Sequence, residues 1–169
     1  MHEMQVYGVS FDLVGKQPIV LLKTIEGNKF LPIWIGHPEA AAILMKLQNA
    51  TTPRPMTHDL LTDILRELDA QVTRVAVTEL RENTFYAQVT VQQDGSEVEI
   101  DSRPSDAIAL AVRASAPIFV ADEVIEESGI EFEGDGEPAN EEIEAKVSEF
   151  REQLDTLTPD DFATGPEDE

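Results

Sequence analysis

The chain has 169 residues, with 34 acidic against 12 basic side chains, a net charge of −22 and no cysteine. That length suits one folded domain with an accessory segment, and the lack of cysteine removes disulfides, Cys-ligated zinc, iron–sulfur clusters and thiol nucleophiles, leaving His, carboxylate, hydroxyl and Arg/Lys groups for any chemistry. No run approaches the roughly eighteen apolar residues of a membrane span, and Met1-His2-Glu3 lacks the basic-then-apolar order of a signal peptide, so a cytoplasmic protein without membrane contact is expected.

Met4 to Asp12 alternates in part, and Pro18 to Thr24 carries the run Ile19-Val20-Leu21-Leu22; Val14-Gly15-Lys16-Gln17 between them has turn chemistry, which predicts a hairpin. A third strand, Lys29 to Ile35, follows the turn at Glu26-Gly27-Asn28. Gly36 breaks the pattern, and Pro38 suits the first turn of a helix from Glu39 to Gln48, apolar on most sides and therefore expected to be buried. After the loop Thr51 to Pro55, Thr57 is placed to cap a helix whose Leu60, Leu61, Ile64, Leu65 and Leu68 keep helical spacing.

Gln71 to Leu80, Thr84 to Val91 and Glu97 to Asp101 then read as a meander, turning at Glu82-Asn83 and Asp94-Gly95. Pro104 opens a helix that is apolar all round over Ala107 to Ala114, Pro117 to Val120 is a short buried strand, and Asp122 to Ser128 a short helix closed by Gly129. The body, residues 1–130, is therefore an α+β domain with a mixed or antiparallel sheet and packed helices. Residues 131–139 read as an acidic, glycine-containing linker. Residues 140–169 read as an acidic amphipathic helix, with Ile143, Val147, Phe150 and Leu154 on one stripe, and a disordered end.

Charge follows the same division. Residues 1–120 hold 15 acidic and 10 basic side chains, residues 121–169 hold 19 and 2. The body is only mildly acidic and can carry a local basic site, but it has no broad basic footprint of the kind a dedicated DNA-binding domain shows.

Two segments have the composition of a reactive site: Arg54-Pro55-Met56-Thr57-His58-Asp59 and Asp101-Ser102-Arg103-Pro104-Ser105-Asp106. Each is an Arg-Pro leading into a helix with a carboxylate in its first turn, where free N–H groups and the helix dipole favour an anion such as phosphate. Taken singly, each is equally a capped helix with a first-turn acid, Thr57 and Ser105 being the caps and Arg103 the surface partner of Asp101. Their coincidence in one Arg-poor body raises the functional reading. His58 is the one histidine flanked by other reactive groups, and at a helix start its neutral, proton-accepting form is favoured. Glu39, opening an apolar helix, is either an ordinary first-turn acid or a metal ligand.

Leu31-Pro32-Ile33-Trp34-Ile35-Gly36, Glu39-Ala40, Arg54 to Leu61, Thr84-Phe85-Tyr86-Ala87 and, above all, the long run Asp101 to Arg113 resemble the bifunctional nuclease domain family, formerly a domain of unknown function, and the chain looks like a bacterial member. The likeness runs from about Gln5 to Gly129. It implies a compact, self-associating α+β domain and hydrolysis of phosphodiester bonds in both RNA and DNA with little sequence specificity. Plant members carry a further small helical domain, in place of which this chain has its acidic segment.

One site that cuts both polymers must activate water, because DNA has no 2′-hydroxyl. Under this resemblance His58, Asp59, Arg103 and Asp106 are the catalytic candidates and Arg54, Arg103, Ser105 and Arg113 the substrate-binding ones. Glu39, Asp59, Asp101 and Asp106 would supply oxygen ligands to Mg²⁺ or Mn²⁺. The two Arg-Pro segments are expected to line one cleft. The same residues also fit a non-catalytic oligomeric scaffold, or a regulatory module that binds a phosphate-bearing ligand. Self-association is expected through the edge of the first hairpin, which few charges protect.

Overall fold

In the computed structural model the residues described are 1–12, 14–131 and 145. The chain divides into two units, Met1–Glu133 and Gly134–Glu169, and all the described strands and helices lie in the first. The linker and the amphipathic tail helix expected from the sequence lie outside the described residues, save for residues 131 and 145.

The alternating N-terminal segment forms β1 (His2–Asp12) and pairs antiparallel with the apolar β2 (Gln17–Thr24), which pairs in turn with β3 (Lys29–Trp34). A bulge at Tyr7 shifts the β1–β2 register between Val6 and Gly8. The meander is β4 (Ala70–Arg81), β5 (Thr84–Gln93) and β6 (Ser96–Ser102). Glu82 and Asn83, and then Asp94 and Gly95, all take left-handed backbone conformations, so both links are two-residue turns whose twist matches that of the strands.

These two antiparallel blocks are stitched together by three residues. β7 (Ile118–Val120) runs parallel to β4, with Val75 opposite Ile118, and antiparallel to β1, with Met4 opposite Ile118. With the two-residue β8 (Ile130–Glu131) on β3, the sheet has eight strands in the order β6-β5-β4-β7-β1-β2-β3-β8. This order overturns the reason given above for self-association: β1 and β2 are interior strands, and the edges are β6 and β8.

The helices are α1 (His37–Leu47), α2 (Thr57–Glu67), α3 (Pro104–Ala114) and α4 (Asp122–Ser128). α3 is the centre of the helical layer. It packs on α1, α2, β4 and β5 and buries Pro104, Ser105 and every residue from Ala107 to Ala111, joining Val75, Val77, Val89 and Leu22 in one apolar core. α1 is less buried than its composition suggested: Ala40, Ala42 and Ile43 face the core, whereas Ala41, Leu44 and Leu47 face solvent. The stripe of α2 departs further, leaving Leu60, Leu61, Ile64 and Leu68 between 41% and 58% exposed, while His58 at its polar start is buried. Helical spacing sets a face but not its orientation; here α2 meets the core through His58 in its first turn and Leu65 near its end.

Gly129 does close α4, but by close approach and not by a left-handed cap. Its backbone is extended, and a Cβ there would lie 2.3 Å from the carbonyl oxygen of Ile125. Gly129→Ala is expected to cost about 1–3 kcal/mol in urea unfolding, because backbone has to move to admit the methyl group; an unchanged midpoint would show that α4 yields freely.

Candidate active site

Three helix starts converge on one cavity. Gly36 precedes α1 and leaves the room that the Glu39 side chain occupies, since a Cβ at Gly36 would stand 2.3 Å from Glu39 Oε2. Met56, not Thr57, is the N-cap of α2, and the Asp59 carboxylate folds back to accept the Met56 N–H at 3.0 Å. Arg103 is the N-cap of α3, with Pro104 as first helical residue and Ser105 buried behind it, so neither Thr57 nor Ser105 has the capping role that sequence assigned.

Side chains from all three helices then lock together. His58 Nε2 lies 2.8 Å from Asp106 Oδ1. Arg103 Nε donates to the other oxygen of Asp106 at 2.8 Å, and its Nη2 donates to Glu39 Oε1 at 3.0 Å. Arg103 therefore bridges α1 and α3 and is not the partner of Asp101. Beside this chain Arg113, whose side chain is 7% exposed, donates from Nε to Asp59 Oδ1 at 2.7 Å, from Nη1 to the Ala109 carbonyl at 2.9 Å and from Nη2 to the Ala42 carbonyl at 3.0 Å.

The cavity between these groups has a volume of about 260 Å³, and its walls include Glu39, His58, Asp59, Arg103, Asp106 and Arg113. Of the residues expected to share one cleft, Arg54 and Asp101 are not on its walls. Arg54 is exposed in the loop before α2, and Asp101 is exposed on the edge strand β6, opposite Gln88 of β5. Ser105 also stays out of the cavity, and Arg113, expected to bind substrate, spends its donors on the protein itself. What sequence reasoning missed is long-range: Glu39 and Arg103 stand 64 positions apart, and no local pattern announces that contact.

The electrostatics follow from these contacts. An ionised carboxylate can only accept, so His58 donates from Nε2. Its Nδ1 has no hydrogen-bond partner among the described residues and is not among their enclosed unpaired polar atoms, and His58 itself is on the cavity wall. The hydrogen bond from Arg113, and then that from the Met56 N–H, hold the Asp59 carboxyl below the ordinary carboxylate range. Burial pushes the Asp106 carboxyl upward, but hydrogen bonds from Arg103 and His58 outweigh it and the net displacement is downward.

A carboxyl depressed in the fold adds stability above its unfolded value, near 4, and loses it as pH falls through the lower folded value. The urea midpoint should thus hold from pH 7 to about 5 and drop below about 4. Asp106→Asn should flatten that acid limb, and an identical limb would show that the pair does not contribute.

The carboxylates do not fit a divalent ion as they stand. Glu39 and Asp106 accept from Arg103, Asp59 accepts from Arg113, Asp101 is elsewhere, and among the described residues no cluster of three or more His or carboxylate groups is poised for a metal. No helix is long and apolar enough to cross a membrane among those residues either.

Comparison with known proteins places this sequence among relatives. The sequence profile described as "Bifunctional nuclease domain" matches residues 20–133. An uncharacterized protein of Mycobacterium tuberculosis is 38% identical over 164 residues, covering 96% of this chain and 98% of its own. "Bifunctional nuclease 1" of Oryza sativa is 28% identical over 115 residues, 66% of this chain and 35% of that protein, and "Bifunctional nuclease 1" of Arabidopsis thaliana is 29% identical over 107 residues, 61% and 33% respectively.

Proposed function

The chain belongs to the bifunctional nuclease domain family, and from that premise we propose that the cavity at the starts of α1, α2 and α3 hydrolyses phosphodiester bonds of RNA and DNA. The observation that carries the reading is the His58–Asp106 pair on the cavity wall, with Nε2 bound to the carboxylate and Nδ1 without a partner among the described residues. Asp106 holds the ring in one tautomer and stabilises the imidazolium that forms when Nδ1 takes a proton from the attacking water. Arg103, exposed on one side and tied to Glu39 and Asp106 on the other, faces the phosphate and offsets its developing charge. Asp59 serves by capping α2 and so fixing where His58 stands.

Mg²⁺ or Mn²⁺ would have to draw Glu39 and Asp106 away from Arg103 before it met two carboxylates, so the chemistry is assigned to the chain's own groups. Purified protein incubated with single-stranded RNA and DNA should cleave both, in chelator as well as with Mn²⁺. Cleavage lost in chelator would restore the metal to Glu39 and Asp106. Failure to cleave either polymer under any of these conditions would favour the competing reading of a phosphate-binding module, which the prior pairing of every cavity carboxylate with an arginine supports.

Self-association is part of this proposal, with its surface moved to α2. Leu60, Leu61, Ile64 and Leu68 form an exposed apolar stripe of the kind that marks an interface. The Asp63–Arg66 pair beside it is self-complementary when two copies of α2 pack antiparallel. Sedimentation should report a dimer at micromolar concentration and a monomer for Ile64→Asp; a monomeric unsubstituted chain would refute the assignment.

A further inference from the structure

We propose that Lys46 is a second phosphate anchor of this cavity, and that the apolar wall of Met45 and Met56 holds the base of the nucleotide lying between Lys46 and Arg103. The inference rests on the phosphodiesterase reading and adds to it the line along which a strand lies. Glu39 and Lys46 both face the cavity, seven positions apart on α1, two turns and about 10 Å along one helix face. Glu39 holds Arg103 at the near end. The Lys46 side chain stands at the far end with no hydrogen bond or ion pair among the described residues, whereas the other two cavity cations are already engaged: Arg103 with two carboxylates, Arg113 with Asp59 and two backbone carbonyls. Of the three Lys and Arg side chains on the cavity walls, Lys46 is the one that an incoming anion can take without breaking an ion pair among the described residues.

Between these ends the walls are apolar. Ala41 and Met45 come from α1, Met56 from the start of α2, and the two methionines offer polarisable thioethers of the kind that make favourable contacts with aromatic rings. The volume of about 260 Å³ falls below the roughly 300–1,000 Å³ of sites that enclose a whole small ligand, so it suits one nucleotide unit with the rest of the strand outside. A ligand with two phosphates flanking a base satisfies both cationic ends; a mononucleotide satisfies one.

The test compares the full chain with Lys46→Met and Lys46→Arg, using a fluorescent single-stranded DNA oligonucleotide and a mononucleotide as probes. Lys46→Met should weaken oligonucleotide binding about 5- to 10-fold and lower the slope of log K against log salt by about 0.7, the share of one phosphate contact. It should raise KM with kcat unchanged and leave mononucleotide binding alone. Lys46→Arg should restore the slope, and Met45→Ala should shrink the preference for a normal strand over one with an abasic position. An unaltered salt slope, or an equal loss for the mononucleotide, would overturn the inference while cleavage by the unsubstituted chain kept the phosphodiesterase reading intact. A chain that neither binds nor cleaves the oligonucleotide would overturn both.

Discussion

His58→Ala should lower turnover on RNA and on DNA by a factor of about 10² to 10⁴, the usual share of a positioned acid–base group, while the chain stays folded. His58 is 6% exposed, yet its ring lies on the cavity wall, and its removal leaves Asp106 still held by Arg103. The loss should therefore be catalytic, with kcat falling more than KM rises. Circular dichroism on the variant separates this from unfolding, and cleavage at the unsubstituted rate by a folded variant would return His58 to a packing role.

Arg113→Met should be the most destabilising single change at the site, by about 2–4 kcal/mol in urea unfolding. The methionine fills much of the arginine's volume, so the effect isolates the lost hydrogen bonds. The guanidinium ties Asp59 on α2 and Ala42 on α1 to its own helix α3, and its loss removes the second hydrogen bond of the Ala42 and Ala109 carbonyls, which keep their helical ones, and leaves Asp59 without its countercharge. Because Asp59 also caps α2, the start of that helix should loosen, and hydrogen exchange at residues 57–60 should rise with the fall in stability. A midpoint within about 0.5 kcal/mol of the unsubstituted chain would show that these bonds are replaced by water at no net cost.

Much of the fold is legible in the residues because it is local. Asp94-Gly95 specifies a two-residue turn, Pro38 and Pro104 mark helix starts, and the alternation from Gln71 to Leu80 gives a half-buried strand; each is decided within a few positions. The candidate site is legible only in part. His58, Asp59, Arg103 and Asp106 stand out because charged and hydroxyl groups gather at two helix starts, but partner choice is not local. Arg103 passes over Asp101, two residues away, for Glu39, 64 residues away, because α1 is packed against α3.

The sequence by itself determined the strand and helix order from β1 to α4, though not β8, the acidity of the segment after residue 120, and the residue types on which the chemistry can draw. The tertiary structure alone decided that β7 joins two antiparallel blocks through one parallel pairing, that the apolar stripe of α2 faces solvent, and that Arg113 is a brace within the protein. The physical reason is the same in each case. Turns, caps and periodicity are energies between near neighbours in the chain, whereas a parallel strand, an exposed helix face and a buried guanidinium are settled by surfaces that meet only after the chain has closed over tens of residues.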